Sequence, residues 1–476
     1  MERDLPDLVI PSIPAGFWVF RASSRDAGAL LLLALVANFV RIGVTSIGLD
    51  EAVSMRIAHG SLRELFHVIT GRGSNMGLYY VLLSFWVRVF GESEAAARSL
   101  SAIFAALAVP VIYLLAANLF GRTAGLAAGL LLALNALVVQ FAQTARSYAL
   151  LVLLVTLSSY FFCLELERPS SRNRVGYVLT SVLAFHAHYF AAYVLAAHAI
   201  AFLAIRGRGG LTRDWLGMAV AISVLCAPVT YFAYSGHAIA GINWISRPTL
   251  RNVGPVFVDF AGGSRLLLLS LLALGSVATV SGFRNRLGWR YGFVAAWLLV
   301  PVVLSFAVSM VKPMFLTYYL IICVPALVLF GAAGIARLRP PIAGGLVVGL
   351  LAVLSATRLA TLYNRESNEN WRDATHAVLG DQRSDDGIIF FPYYARGPFD
   401  YYVRQRGIGG PRNLGRDPLS SGQRVWFAIR ASDSTGRRTE LEKLRSSLNE
   451  RYHLSNKQAF RGVAVEEYVR FRAPTQ

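Results

Sequence analysis

The sequence is poor in charge, because only 15% of its 476 residues are charged while 55% are hydrophobic. Soluble proteins carry about 25% charged residues, so a soluble enzyme and a disordered chain are excluded. Cysteine is also scarce: Cys163, Cys226 and Cys323 each lie within an apolar run without a nearby cysteine. This excludes a disulfide framework and a cysteine metal site. Strands of ~10 residues with alternating polarity are lacking as well, which excludes a membrane β-barrel.

Long apolar runs take up most of the chain, for example residues 27–40, 100–120, 124–139 and 343–353. A helix needs about 20 residues to span ~30 Å of hydrocarbon, since each residue adds 1.5 Å. The sequence therefore predicts a polytopic α-helical membrane protein. Its net charge is +19, but Lys and Arg gather in short loops between the runs, as the positive-inside rule requires. No nucleic-acid partner is predicted.

The basic loops also predict the orientation. Arg21 and Arg25 precede the first run, 27–47, which places the N-terminus in the cytoplasm and makes this run a retained signal anchor. Residues 48–96 then form the first external loop. Within it, residues 77–90 are apolar and rich in Tyr and Trp but too short to span, so we expect an interfacial helix. The further predicted helices are about 97–118, 124–141, 149–166, two within 175–205 that turn near residue 188, 215–234, 265–283, 291–310, 318–335 and 341–360.

This count gives about 11 transmembrane helices and a C-terminus outside the cell. We expect a cytoplasmic N-terminus at residues 1–26, a transmembrane domain at 27–360 and a small extracytoplasmic α/β domain at 361–476. The last domain is richer in charge and in Gly/Pro turns. Its patterns predict helices at 371–379 and 440–452 and buried strands at 387–391 and 424–429.

Two carboxylates, Asp50 and Glu51, stand where the first helix leaves the membrane. Acids at the rim of the hydrocarbon are costly unless they have a task or a partner. A carboxylate there could take the proton of an alcohol and make it a nucleophile. It could also cap the helix that starts near residue 52, because Asp is a good N-cap residue. The residues alone leave both interpretations open.

The motifs after these acids form a distinctive order: Leu78-Tyr-Tyr80, Trp86 to Gly91, Ser93 to Arg98, Leu119 to Arg122 and Gln143 to Tyr148. With Asp50-Glu51 in front, this order resembles bacterial glycosyltransferases of the GT-C class, in the group of dolichyl-phosphate-mannose protein mannosyltransferases and lipid A aminoarabinose transferases (family 39-like). The resemblance is strongest over residues 48–150. It continues more weakly at 312–320 and 370–372.

The resemblance implies a GT-C fold in a bacterial-type plasma (inner) membrane. It also implies inverting transfer of a sugar from a polyprenyl phosphate to an alcohol acceptor, which is a glycan, lipid or protein, at the outer face. Asp50 is then the catalytic base, with Glu51 beside it. Cations must hold the donor phosphate, and the topology offers Arg146, Lys312 and Arg98. The other expected substrate-binding residues are Tyr79, Tyr80, Gln143, Tyr148, Trp244 and Tyr318.

No cofactor is predicted, and a divalent metal is left open rather than implied, because no acid stands at residues 143–148. His186 and His188 are expected to support a turn, or to form hydrogen bonds in the donor cavity, rather than to bind a metal. The chain departs from the family at Asn75-Met-Gly77, where relatives usually carry His-Pro-Pro, and at Tyr318, where many carry Arg. Two alternatives follow: a transporter or flippase of lipid-linked sugars, and an inactive relative that acts as an assembly partner.

Overall fold

The structure is a computed structural model that describes residues 23–71, 74–206, 212–235, 245–282, 288–365, 368–415 and 422–471. The part before residue 366 is helical. Its helices are α1 Ser24–Phe39, α2 Leu49–His59, α3 Leu62–Ile69, α4 Gly77–Phe90, α5 Glu94–Phe120, α6 Arg122–Ala133, α7 Ala136–Ala142, α8 Tyr148–Glu167, α9 Ser171–Ala187, α10 Ala191–Arg206, α11 Arg213–Ser235, α12 Val253–Phe260, α13 Arg265–Gly282, α14 Gly288–Val311, α15 Val324–Ile335 and α16 Pro341–Asn364.

The described residues contain five helices that are long and apolar enough to cross a membrane, namely α5, α8, α11, α14 and α16. Two bent pairs, α6 with α7 at 55° and the α12 segment with α13 at 87°, raise the number to seven if each pair is one span. The chain is therefore a multi-pass helical membrane protein, as predicted. The remaining apolar helices are shorter, so eleven crossings stay a prediction.

Most predicted helices are present, with boundaries shifted by a few residues. Helix α4 has the bounds predicted for the helix at 77–90, whose interfacial position stays a prediction, and the turn within 175–205 falls between α9 and α10. The predicted continuous helix 124–141 is wrong, because the chain breaks between α6 and α7. Asn135 causes the break: its side chain accepts hydrogen bonds from the amides of Leu137 and Val138 and so begins a new helix.

The predicted helices 215–234 and 265–283 leave residues 235–264 between them as a loop, and this loop contains α12. The side chain of Asn135, at the start of α7, donates a 2.8 Å hydrogen bond from Nδ2 to the carbonyl of Phe260 at the end of α12. Residues 236–244 of this loop lie outside the described residues. The α12 segment thus lies beside the start of α7.

The last part of the chain is an α/β domain, called here the outer domain after its predicted location. Its elements are α17 Trp371–Asp381, β1 Gly387–Phe391, α18 Arg396–Arg406, β2 Arg412–Asn413, β3 Arg424–Arg430, α19 Ala431–Gly436, α20 Arg438–Asn449, β4 Tyr452–Phe460 and β5 Val463–Arg470. The sheet order is β2-β1-β3-β5-β4. Strand β1 is parallel to β2 and β3, while β5 is antiparallel to β3 and β4.

The outer domain was predicted in part. Strands β1 and β3 and helices α17 and α20 were expected, but α20 ends at Asn449 and Tyr452 already belongs to β4. Strands β4 and β5 and helix α18 were missed. Strand β4 is exposed along most of its length, so it lacks the alternation of polar and apolar residues that reveals a half-buried strand.

Helices α17 and α18 join the outer domain to the membrane part. Trp371 is fully buried, and the hydroxyl of Tyr401 donates a 2.6 Å hydrogen bond to the carbonyl of Glu92, between α4 and α5. Helix α18 also packs on α2, where a Cβ on Gly397 would lie 3.5 Å from the Cβ of Ala52. The outer domain is therefore in contact with the helix that carries Asp50.

Candidate active site

Asp50 is the second residue of α2, which follows the turn at residues 40–48 after α1. Its side chain is exposed, and the described residues provide no hydrogen-bond partner for its carboxylate. The idea that Asp50 caps α2 is wrong. The capping residue is Gly48, whose amide donates a 3.0 Å hydrogen bond to Glu51. Asp50 is thus a carboxylate that remains available for a substrate.

Glu51 has the opposite environment, because only 3% of it is exposed. Its Oε1 accepts hydrogen bonds from Arg98 Nε at 2.8 Å and from the amide of Ala145 at 3.0 Å. Its Oε2 accepts from Arg98 Nη2 at 2.8 Å and from Gly48 at 3.0 Å. Burial opposes the charge, but these donors together lower the pKa of Glu51. Four strong donors leave Glu51 little capacity to take a proton.

Arg98 is fully buried and uses all of its donors within the protein. Besides Glu51, its Nη1 donates to the carbonyls of Ile42 and Thr45, both at 2.9 Å, and its Nη2 donates to the carbonyl of Ser46 at 3.1 Å. A guanidinium has five N–H groups, and these contacts occupy all of them. The geometry does not support Arg98 as a ligand of the donor phosphate.

Arg146 lies in the turn between α7 and α8 and has a free donor. Its Nε is buried and has no hydrogen-bond partner among the described residues. Its Cζ lies 6.0 Å from the centre of the Tyr148 ring. Burial disfavours the charge, whereas Tyr80, Tyr148 and Asp50 nearby raise the pKa of Arg146. A cation with an unused N–H beside Asp50 is suited to an anionic ligand.

Tyr79 is connected to the backbone carbonyl of Arg146 through the side chain of Ser101. The Tyr79 hydroxyl is buried and lies 2.8 Å from Ser101 Oγ, which donates a 3.1 Å hydrogen bond to the carbonyl of Arg146. Gln143 has a similar supporting place, because its Nε2 donates to the carbonyls of Asn38 and Val40 at the end of α1, at 3.0 and 2.7 Å. Neither side chain reaches toward Asp50.

Aromatic rings from three separate segments lie together beside this group. The Tyr148 ring is 5.6 Å from Tyr318 and 5.7 Å from His188, and Tyr318 is 4.7 Å from Tyr319. We call Tyr148, His188, Tyr318 and Tyr319 the aromatic wall. Tyr148 and Tyr318 were predicted as binding residues. Tyr319 was missed, although it stands next to Tyr318 in the sequence.

His188 lies in the turn between α9 and α10 and forms part of the aromatic wall. It is fully buried, and Asn75 Nδ2 lies 3.3 Å from its Nε2. Burial, with Arg146 as a second cause, lowers the pKa of His188 to about 3, so the ring is neutral near pH 7. Asn75 belongs to the triplet that departs from the family pattern. Its side chain therefore supports the turn that carries His188.

Two predicted residues remain, Lys312 and Trp244. Lys312 follows directly after α14, is half-buried and has no ion-pair partner among the described residues. Trp244 lies outside the described residues. The described ranges contain no cluster of three or more His, Cys, Asp or Glu that could hold a metal ion.

Comparisons with known proteins agree with the motif order. The family model described as dolichyl-phosphate-mannose-protein mannosyltransferase matches residues 77–232. Among solved structures, ArnT from Cupriavidus metallidurans bound to undecaprenyl phosphate is similar with a TM-score of 0.62 at 15% identity, over 93% of this chain and 98% of that chain. Apo ArnT from the same organism gives a TM-score of 0.63 at 13% identity, with the same coverage.

A second structural relative is the archaeal oligosaccharyltransferase AglB from Archaeoglobus fulgidus, in complex with an inhibitory peptide and a dolichol-phosphate. It is similar with a TM-score of 0.54 at 11% identity, over 84% of this chain and 69% of that chain. No curated protein matches the sequence significantly.

The fold and the matches define the class: this is a multi-pass membrane protein with the fold of the GT-C glycosyltransferases. Within that class, the chain resembles the dolichyl-phosphate-mannose protein mannosyltransferase group over the matched region, which confirms the resemblance drawn from the motifs.

Proposed function

We propose that the protein transfers a sugar from a polyprenyl phosphate to an alcohol acceptor at the outer face of the membrane, with inversion at the anomeric carbon. One observation carries the proposal. Asp50 is an exposed carboxylate without a partner among the described residues, and it lies close to Arg146, whose Nε is buried and equally unpartnered. A base and a phosphate-binding cation side by side are what this transfer needs.

The proposed reaction is a single displacement. Asp50 takes the proton of the acceptor hydroxyl, and the hydroxyl oxygen attacks the anomeric carbon. The bond from that carbon to the phosphate oxygen breaks, and its electron pair leaves with the polyprenyl phosphate. Arg146 stabilises the growing negative charge on the phosphate, where a preorganised cation is most effective. Lys312 is proposed as a second cation at the same level of the membrane.

The other residues divide into substrate contacts and supports. Tyr80, Tyr148 and Tyr318 are proposed to contact the sugar or the phosphate, because rings beside the base can pack on a sugar face. Trp244 stays a proposed substrate contact from the sequence alone. Arg98, Glu51, Tyr79 and Gln143 are instead proposed as positioning residues, because their polar groups are bonded within the protein.

The membrane arrangement is part of the proposal. We infer eleven crossings within residues 27–360, a cytoplasmic stretch at 1–26 and the outer domain, residues 361–476, outside a bacterial plasma membrane. Reporter fusions after Arg122 and after Arg290 should both report a cytoplasmic location. An external location at either site would contradict the arrangement from that helix onwards.

The chemical proposal can be tested with purified protein in lipid nanodiscs. A panel of undecaprenyl-phosphate-linked pentoses and hexoses is offered, and release of undecaprenyl phosphate is measured with cell-envelope extract as the source of acceptor. The wild type should release the carrier from one donor. Asp50→Asn should lose this turnover while it still binds undecaprenyl phosphate.

The matched control is Asp385→Asn, which changes an exposed aspartate between α17 and β1 of the outer domain and should keep full turnover. Full turnover in Asp50→Asn would contradict the mechanism. Movement of an intact lipid-linked sugar across the bilayer, with no release of carrier, would favour the transporter. Absence of both activities in the wild type would favour an assembly partner.

A further inference from the structure

The segment before Asp50, residues 42–48, is held from two sides. On the membrane side, Arg98 of α5 binds the carbonyls of Ile42, Thr45 and Ser46. The segment has no regular secondary structure of its own between residues 45 and 48. The position of this segment therefore depends on contacts with other parts of the chain. The position of the start of α2 depends on the same contacts.

The second set of contacts comes from the outer domain. Arg372 of α17 donates from Nη2 to the carbonyl of Gly43 at 3.0 Å, and its backbone amide donates to Ser46 Oγ at 3.2 Å. Asn368 Nδ2 donates to the carbonyl of Ser46 at 2.8 Å. The outer domain, which follows α16, thus binds the turn that follows α1.

The Tyr402 hydroxyl on α18 is the centre of this set. It accepts a 2.8 Å hydrogen bond from the amide of Ile47, lies 3.0 Å from Ser46 Oγ and donates at 2.8 Å to Glu94 Oε1. Tyr402 is only 1% exposed, so water cannot replace these bonds easily. Ile47 stands three residues before Asp50.

Glu94 connects the two sides. It lies in the first turn of α5, one turn before Arg98, and its Oε1 also accepts from Arg372 Nη2 at 2.7 Å. The outer domain and α5 are therefore fixed to each other by the same carboxylate that Tyr402 binds. The hydroxyl of Tyr402 binds Glu94 and the amide of Ile47 at once, so it holds Ile47 at a fixed position relative to α5 and the outer domain.

We propose that Tyr402 is a positioning residue for Asp50, through which the outer domain sets the place of the catalytic base. This inference rests on the proposed function, since it takes Asp50 to be the base. Loss of the hydroxyl would leave the Ile47 amide buried without a partner and would loosen residues 46–48. A base displaced by a fraction of an ångström slows the chemical step, while the donor phosphate keeps its proposed cation, Arg146, which lies on a different turn.

The test compares Tyr402→Phe with Tyr401→Phe in the full chain. Tyr401 is a matched control, because it is equally buried and its hydroxyl binds the carbonyl of Glu92 instead of the segment before Asp50. Hydrogen exchange of the amides of residues 43–50 should become about tenfold faster in Tyr402→Phe and stay unchanged in Tyr401→Phe. Loss of one buried hydrogen bond corresponds to roughly this factor.

Turnover supplies the second measurement. With the undecaprenyl-phosphate sugar that the wild type accepts, kcat should fall about tenfold in Tyr402→Phe while the donor KM stays within about twofold. Should Tyr402→Phe not fold, Ser46→Ala removes contacts from the same set without changing the outer domain. It should give the same faster exchange and lower kcat.

The inference is overturned if Tyr402→Phe, or Ser46→Ala in its place, matches Tyr401→Phe in either measurement. This failure is distinct from that of the proposed function, which would appear as full turnover in Asp50→Asn. The exchange measurement needs no substrate and therefore tests the structural half even if no donor is turned over.

Discussion

Arg98 and Glu51 form a two-point ion pair inside the protein, with Nε to Oε1 and Nη2 to Oε2 both at 2.8 Å. The pair joins α5 to the first turn of α2, directly beside Asp50. Adjacent acids in the sequence thus have different environments. Glu51 is bonded to the scaffold, and the carboxylate of Asp50 on the neighbouring helical position has no partner among the described residues.

The first prediction concerns this pair. Glu51→Gln leaves the buried guanidinium of Arg98 without its counter-charge and should lower the free energy of unfolding by about 3–5 kcal/mol. The control is Asp400→Asn, which breaks an exposed pair with Arg396 within α18, where the side chains are 40% and 35% exposed. That change should cost only about 0.3–0.5 kcal/mol. Denaturant unfolding in detergent micelles measures both, and equal costs would contradict a structural role for Glu51.

The proposed site could be located from the sequence because its signal is local: an apolar run ends and acids follow at once. It could not separate Asp50 from Glu51, because the partner of Glu51 is Arg98, which lies 47 residues away. The same limit applies to Arg98 itself. Its charge at a helix start suggested a phosphate ligand, and only the tertiary contacts show that its donors are used.

The fold was predictable where apolar runs were long and less so elsewhere. Asn135 breaks a helix inside an apolar stretch, and a single polar residue is weak evidence for such a break. Strand β4 of the outer domain was missed because it faces solvent and has a polar sequence. Strand β5 is mostly buried, but the paired acids Glu466 and Glu467 interrupt its apolar pattern. Tyr402 could not be found from the sequence, since its importance depends on Ser46 and Ile47, more than 350 residues earlier.

The second prediction concerns acid stability of the outer domain. Asp386 is buried and accepts hydrogen bonds from Arg424 and from Trp426 Nε1, the latter at 2.9 Å. Burial opposes its charge, but Arg424 and the other donors lower the pKa of Asp386 below its ordinary value of 3.8. A lowered pKa adds stability above the ordinary value, and this part is lost as the pH falls below it.

Asp386→Asn should therefore be less stable than the wild type at pH 7, and the difference should shrink as the pH falls from about 5 to 3. Thermal unfolding of the full chain across this range measures the difference. Asp433→Asn serves as the control, because Asp433 pairs with Arg430 at a more accessible place. A difference that grows towards low pH would contradict the assignment.

The third prediction concerns His188 in the aromatic wall. Because the pKa of His188 is lowered to about 3, its ring stays neutral throughout the range from pH 5 to 8. Protonation of His188 should therefore not shape the pH dependence of turnover. His188→Gln is expected to change kcat by one constant factor over this range. His67→Gln, at an exposed position of α3, should match the wild type. A limb of the pH profile that disappears only in His188→Gln would contradict a neutral ring.

The last prediction concerns the cation beside the base. Arg146→Ala removes a guanidinium whose Nε has no partner among the described residues, so little internal bonding is lost. Binding of undecaprenyl phosphate should weaken by about 1.5–3 kcal/mol, the usual worth of a hydrogen bond to a charged group. Arg146→Lys should recover only part of this binding energy, because an ammonium lacks the fork of donors that matches a phosphate.

Arg56→Ala is the control, since Arg56 is an exposed arginine on α2 itself and its loss should leave binding within about 0.5 kcal/mol. Equal binding by Arg146→Ala and the wild type would remove Arg146 from the phosphate site and leave Asp50 as base without its proposed partner.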